Sequence, residues 1–403
     1  VTSPSGNANH AWTPASRPGI IPLHPLSFGT ILGKSFVALR HNPRVLLGFA
    51  LCVQVAAYLI VSVAIGGIAI ASFSRLDTMP MGDDYWAVFW GSTAITAAAG
   101  VVLGLAAGAL SVVVQAVVVA EVAYAAVAEK RTLRALWAQI KPVFWRLIGY
   151  AALVSGAFLI VFVALAAGIT ALGFVLLPLS IALGVVLILA AIPLWLWLST
   201  KLVLVPAVII LEDMTVRGAI ARSWRLIRGR FWSALGIIVV VSLTFAVLAQ
   251  VVTAPFSIIQ VAISTILSPT GETDVTAIIA IIVSTVLAQA LSVLVQSVAL
   301  VVQSTAACLI YLDVRMRHEG LDLDLLAYTE RRDNGERELA DPFRQNVGRV
   351  LPRATPATAY GTPVLPPPYI PPAAPTATGS AWTPPGAVSS SVTPPVENGP
   401  PHA

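Results

Sequence analysis

The sequence predicts an all-α membrane protein with six transmembrane helices in three repeated units, each an interfacial amphipathic helix followed by a transmembrane hairpin. Three observations carry this reading. The 403-residue chain is 57% hydrophobic and only 11% charged, with a mean hydropathy of +0.85. Asp, Glu, Lys and Arg are absent from five long stretches, and the basic residues gather on one side of the resulting bundle. Soluble domains run at about 45–50% apolar and about 25% charged residues. A chain this poor in charge does not cover a water-facing surface of its own size, which excludes a soluble enzyme as the bulk of the molecule.

The charge-free stretches are residues 45–74, 85–120, 147–200, 231–271 and 275–312, which together hold 199 residues. Each exceeds the roughly 20 apolar residues that cross a bilayer core as helix. The stretch 147–200 has Gly168, Gly173 and Pro178 near its middle, so two spans are expected to meet there. The predicted spans are 45–73, 86–120, 146–167, 180–211, 232–253 and 276–312. Their continuous apolarity lacks the period-two alternation of a barrel wall. After the fifth span, Pro255 and the run 256–267 predict a separate short helix at the outer surface.

Of the 24 Lys and Arg residues, 21 fall before the first span, between the second and third, between the fourth and fifth, and after the sixth, and Arg146 and Lys201 lie within the third and fourth spans toward that same side. The opposite loops carry Arg75 among Asp77, Asp83, Asp84, Glu272 and Asp274. The positive-inside rule therefore predicts a plasma-membrane protein with both termini in the cytoplasm. The first apolar run is too long for a signal peptide and is expected to act as an anchor. Residues 1–26 read as a disordered cytoplasmic segment, 27–318 as the membrane domain and 319–340 as a short helical or extended segment. Residues 341–403 hold 16 of the 29 prolines and read as a disordered cytoplasmic tail.

The segment SFGTILGKSFVALRHNPRVLLG (27–48) aligns without a gap on TVRGAIARSWRLIRGRFWSALG (215–236), and Glu129 and Thr132 match Glu212 and Thr215. This defines units 27–131, 132–214 and 215–318. In the third, Val216, Ile220, Trp224, Ile227 and Phe231 form one apolar stripe at helical spacing, flanked by Arg217, Arg222, Arg225 and Arg228. Such a helix is expected to lie in the membrane interface with its rings among acyl chains and its guanidinium groups among anionic headgroups. With Arg230, Lys34 and Arg40 these residues are the candidate contacts to anionic lipid of the cytoplasmic leaflet or to a membrane protein partner. Nothing in the pattern points to nucleic acid.

Chemistry-bearing motifs are scarce. Two cysteines and five scattered histidines offer little for metal or acid–base work. The segment FGTILGKS (28–35) has three residues between its glycines where a phosphate-binding loop needs four. No cofactor, metal or catalytic residue is expected. Polar groups inside the spans are the remaining candidates, because lipid penalises them unless they face the bundle interior. Thr285, Gln289, Ser292, Gln296 and Gln303 share a stripe of the sixth span, within expected reach of Gln54, Tyr58, Gln115 and Gln250. Glu121 and Lys201 are candidates for a buried ion pair. Gly100, Gly104 and Gly108 form a small-residue ridge suited to close helix approach. The resulting expectation is a non-catalytic scaffold or accessory protein; the alternative is a transporter or lipid-handling permease using the polar face of the sixth span.

The stretch YLDVRMRHEGLDLDLL (311–326) pairs Asp313 with Arg317 and Arg315 with Glu319 four residues apart, each pair worth a few tenths of a kcal/mol if exposed. Gly320 is placed to end that helix. Together with RPGIIPLHPLSFGTILGKSF (17–36) and RSWRLIRGRFW (222–232), this stretch resembles bacterial proteins that carry the membrane domain of glycerophosphoryl diester phosphodiesterases. The resemblance implies a multi-span membrane module that precedes a phosphodiesterase barrel in some relatives. Here a Pro-rich tail stands where that barrel would follow, so the resemblance implies no activity.

Overall fold

The computed structural model describes residues 24–37, 43–267, 275–336 and 339–349, and every regular element among them is helical. Helix α1 (Phe28–Val37) precedes a short π-helical turn at Arg44–Gly48 and α2 (Phe49–Phe73). There follow α3 (Asp83–Ala126), α4 (Leu133–Ile140), α5 (Phe144–Gly173), α6 (Leu177–Leu202) and α7 (Val205–Glu212). The series closes with α8 (Val216–Leu226), α9 (Phe231–Leu267), α10 (Val275–Glu319) and α11 (Leu321–Asp333). Six helical segments among the described residues are long and apolar enough to cross a membrane: Leu46–Phe73, Asp83–Ala126, Leu133–Gly173, Leu177–Glu212, Phe231–Ile263 and Ile279–Glu319.

Helices α3 and α10 hold 44 and 45 residues. At 1.5 Å per residue each is about 65 Å long, roughly twice the hydrocarbon core of a bilayer. The excess is where the protein builds its core. Residues 113–126 of α3, 204–211 around α7 and 301–316 of α10 are almost wholly buried, and α1, α4 and α8 pack around them. The other ends of the spans are the reverse: Ile160, Phe162, Phe174 and Ile188 lie exposed. Both patterns follow from the solvent. Lipid gives apolar helices no hydrophobic reason to hide from it, whereas water at the basic end does.

The break between α6 and α7 has a local cause. Pro206 lacks the N–H that would bind the carbonyl of Leu202. The Tyr150 hydroxyl donates to that oxygen at 3.4 Å, and the Ser223 hydroxyl donates to the neighbouring Lys201 oxygen at 2.7 Å. The chain then turns sharply after α7 with Asp213 in the left-handed region (φ 55°). Arg146 holds the turn by donating to the Asp213 oxygen at 3.0 Å and to its carboxylate at 2.7 Å. Thr132 and Thr215 accept from Ala135 N and Gly218 N, capping α4 and α8 alike.

Three local expectations are corrected. Helix α9 continues through Pro255 to Leu267, so 256–267 is no separate surface helix; transmembrane helices tolerate an internal proline where neighbours compensate, and Gln260 donates to Thr285 of α10 at 2.9 Å. The glycine ridge, whose partner helix the sequence leaves open, is not among these: a Cβ added at Gly100 would lie 3.8 Å from Ile65, and one added at position 104 or 108 would meet nothing within 4 Å among the described residues. Residues 341–349, assigned above to the tail, pack onto the bundle, with Phe343 fully buried against Tyr124 at a ring separation of 5.5 Å. Residues 24–26, the described end of the N-terminal segment, likewise bring Leu26 into the core. The remainder of the Pro-rich tail lies outside the described residues.

Removing a buried ring costs about 3–5 kcal/mol. Phe343→Ala is therefore expected to release 339–349 from the bundle, seen as rapid amide hydrogen exchange there with α5 and α6 unaffected. Unchanged protection of 339–349 would contradict the assignment of Phe343 as its anchor.

Candidate functional site

The charged residues at the basic end form one buried cluster. Glu212 closes α7, Arg222 sits on α8, and Tyr311, Arg315 and Glu319 follow one another up the last two turns of α10 at spacings of four. The Arg222 guanidinium donates to both Glu319 oxygens at 2.8 and 2.9 Å while its Nε faces Glu212. Arg315 Nε donates to Glu319 at 2.9 Å and lies 3.7 Å from Glu212. The Tyr311 hydroxyl donates to Glu212 at 2.8 Å and accepts from Arg315 at 2.8 Å. Two carboxylates are thus matched by two guanidinium groups in a place closed to water. Burial opposes the charge on Arg222, but the hydrogen bond and charge of Glu212 and the charge of Glu319 outweigh it, holding Arg222 above its ordinary value.

Arg315 also reaches outward, donating to the carbonyls of Phe343 at 2.8 Å and Gln345 at 3.4 Å. Arg349 donates to the carbonyls of Glu319 and Gly320 at 2.8 and 3.1 Å. Those oxygens are left over where Gly320 ends α10 in the left-handed region (φ 68°). Asp341 accepts from Tyr124 of α3 at 2.9 Å. The segment 339–349 is therefore a strap tied to α3, α10 and α11.

A further carboxylate ties down the segment nearest the opposite terminus. Asp313 accepts from the backbone N–H of Leu26 at 2.8 Å, and Arg317 donates to the Leu26 carbonyl at 2.9 Å. Asp313 also binds Arg317 at 2.9 Å and Arg230 at 3.0 Å. At the end of α3, Arg332 donates to the Val127 carbonyl at 2.6 Å and Tyr328 to Glu129 at 2.7 Å. Burial, and then the Glu129 hydrogen bond, push the Tyr328 phenol up to about 12.

The residues singled out from sequence divide clearly. Arg217 and Arg225 are exposed on α8 and Arg228 in the turn that follows it, and Lys34 is half-buried on α1. Arg40 lies outside the described residues. Arg222, expected at headgroups, is instead buried, and Arg230 is engaged by Asp313. The reason is that α8 lies on protein: Ala219 and Ser223 are small enough for close approach, which carries Arg222 to Glu212. Ile227 is buried, and Val216, Ile220 and Phe231 pack on the core in place of acyl chains.

The polar stripe of the sixth span does not line the interior. Gln289 and Ser292 are half-buried, whereas Gln296 and Gln303 are exposed, and Gln296 donates to Ser292 of its own helix at 2.8 Å. The buried face of α10 carries smaller groups, Ser284, Ser297, Ser304 and Thr305, each satisfied by a carbonyl one turn back. Glu121 is buried, but no ion pair joins it to Lys201 among the described residues. Lys201 Nζ lies over the rings of Trp224 and Phe231, 5.3 and 5.5 Å from their centroids.

Fold and site together define a polytopic helical membrane protein whose basic end is locked by buried charge. Residues 178–334, which run from α6 to the end of α11, match a family described as the membrane domain of glycerophosphoryl diester phosphodiesterase. The match includes the 222–232 and 311–326 stretches on which the resemblance rested, and reaches no catalytic domain; 17–36 lies outside it. No curated protein and no solved structure matches the chain.

Removing one partner from a buried ion pair costs about 3–5 kcal/mol, because the other charge stays behind. Arg315→Met is expected to lose that much in thermal or denaturant unfolding, and Arg315→Met with Glu319→Gln to lose clearly less than the two single losses combined. Additive losses would show that the two groups do not act as a unit.

Proposed function

We propose that this chain is a non-catalytic membrane scaffold that sits in the plasma membrane with its basic end in the cytoplasm and holds anionic lipid there. The observation that carries the reading is how the charge at that end is spent. Glu212, Glu319 and Asp313 are all bound to guanidinium groups, which do not give up their protons, so these carboxylates are engaged in holding helices together. Meanwhile Arg217 and Arg225 on α8 and Arg228 in the turn after it remain exposed. The match to a membrane domain alone points the same way, and the asymmetry of Lys and Arg supports the orientation.

Two measurements test this. Each basic residue near an anionic leaflet contributes about 1 kcal/mol, or about fivefold in affinity. Replacing Arg217, Arg225 and Arg228 by Gln is expected to lower co-purifying phosphatidylglycerol relative to phosphatidylcholine, with a smaller difference at high salt. Equal retention in the variant would remove lipid engagement from the proposal. For orientation, in a background lacking Cys52 and Cys308, Met81→Cys is expected to react with an impermeant maleimide on intact cells and Glu336→Cys only after permeabilisation. The reverse pattern would invert the protein.

A further inference from the structure

A cavity of about 180 Å³ lies between α3, α5, α6 and the start of α7, at the level where α6 breaks. Its walls belong to membrane-spanning segments, and no charged side chain lines it. Phe158 and Trp195 form one aromatic side, with ring centroids 4.7 Å apart. Trp195 is 54% exposed, so the cavity reaches the outer surface of the bundle. In a bilayer that surface is covered by lipid.

Three uncharged polar groups line the cavity. The Tyr150 hydroxyl directs its proton to the Leu202 carbonyl, and the Ser199 hydroxyl donates to Leu196 at 3.0 Å; both oxygens can still accept. The third is the amide of Gln115, which makes no side-chain hydrogen bond with any described residue. Its donor and acceptor are therefore open to an occupant that bonds to them. A cavity of about 150 Å³ holds a benzene ring. This one takes part of a lipid and leaves the chains to run out past Trp195 onto the exposed face of α6.

We propose that this cavity binds the uncharged glycerol-ester region of a membrane lipid, with the Gln115 amide bonding to an ester or hydroxyl oxygen. The absence of charge in the lining separates this site from the arginines of α8. Its occupant is chosen by the ester region and not by the headgroup charge.

The test uses the full chain in nanodiscs and a diacylglycerol carrying a diazirine on the acyl chain next to the ester. Crosslinks are expected in peptides holding 150–158 and 195–203, and to be competed equally by unlabelled diacylglycerol and phosphatidylglycerol. Gln115→Leu, close to the original in volume, is expected to reduce them at least threefold. Val154→Trp, which fills the cavity, is expected to abolish them. Crosslinks to the exposed 160–174 face report an intact hairpin and should persist in both variants, and substitution of Arg217, Arg225 and Arg228 should change nothing at the cavity. Labelling no stronger than at 160–174, labelling that survives both variants, or competition by the anionic lipid alone would each overturn the proposal.

Discussion

The structure depends on a buried exchange of charge between the ends of helices. Glu212, at the end of α7, faces Arg222 of α8 and Arg315 of α10, and Glu319 one turn above binds both arginines. Bringing four ions out of water costs several kcal/mol per ion, offset only when every charge keeps its partner and its remaining hydrogen bonds are met. That condition is satisfied in one arrangement of α7, α8 and α10 and in few others. The cluster therefore acts less as a source of stability than as a selector of geometry. Apolar contact in lipid is permissive about how helices pair, and such a bundle needs a selector.

Other features follow from it. Arg315 has donors left after binding Glu319, and they fix the carbonyls of Phe343 and Gln345, so the cluster forms part of the seat of the strap 339–349. Asp313 and Arg317 occupy the same turns of α10 and clamp the backbone of Leu26 from both sides. One helix end thereby receives the described segments nearest both termini. The length of α10 makes this possible, since its final turns extend well beyond what a bilayer needs. At the other end, sparse contacts leave α5 and α6 to the lipid, and the interruption at Pro206 opens a small polar cavity within apolar walls.

Much of this was legible in the sequence, and the rest was hidden for physical reasons. Charge-free stretches locate all six spans because lipid imposes length and apolarity directly. The pairs Asp313–Arg317 and Arg315–Glu319 were readable from their spacing, as was the end of α10 at Gly320. Their weight was not: spacing alone describes exposed pairs, and only Glu212 and Arg222, distant in sequence, reveal that the pairs are buried. Arg222 was misread because its helical position resembles that of its exposed neighbours; the small residues Ala219 and Ser223 beside it were the available signal. The amides of α10 were misassigned since the rule that polar groups turn inward is met by smaller hydroxyls bonded within the helix. Phe343 was missed because a single aromatic next to Pro342 reads as tail.

The central claim is that the buried charges hold the basic end together as one unit. Hydrogen exchange on the full chain carrying Glu212→Gln tests it most directly. The account predicts that 204–212, 311–319 and 339–349 lose protection together, to a similar extent, while the middle of α2 and of α9 keeps its own. Loss confined to the turn around residue 212, with the strap and the end of α10 still protected, would contradict it.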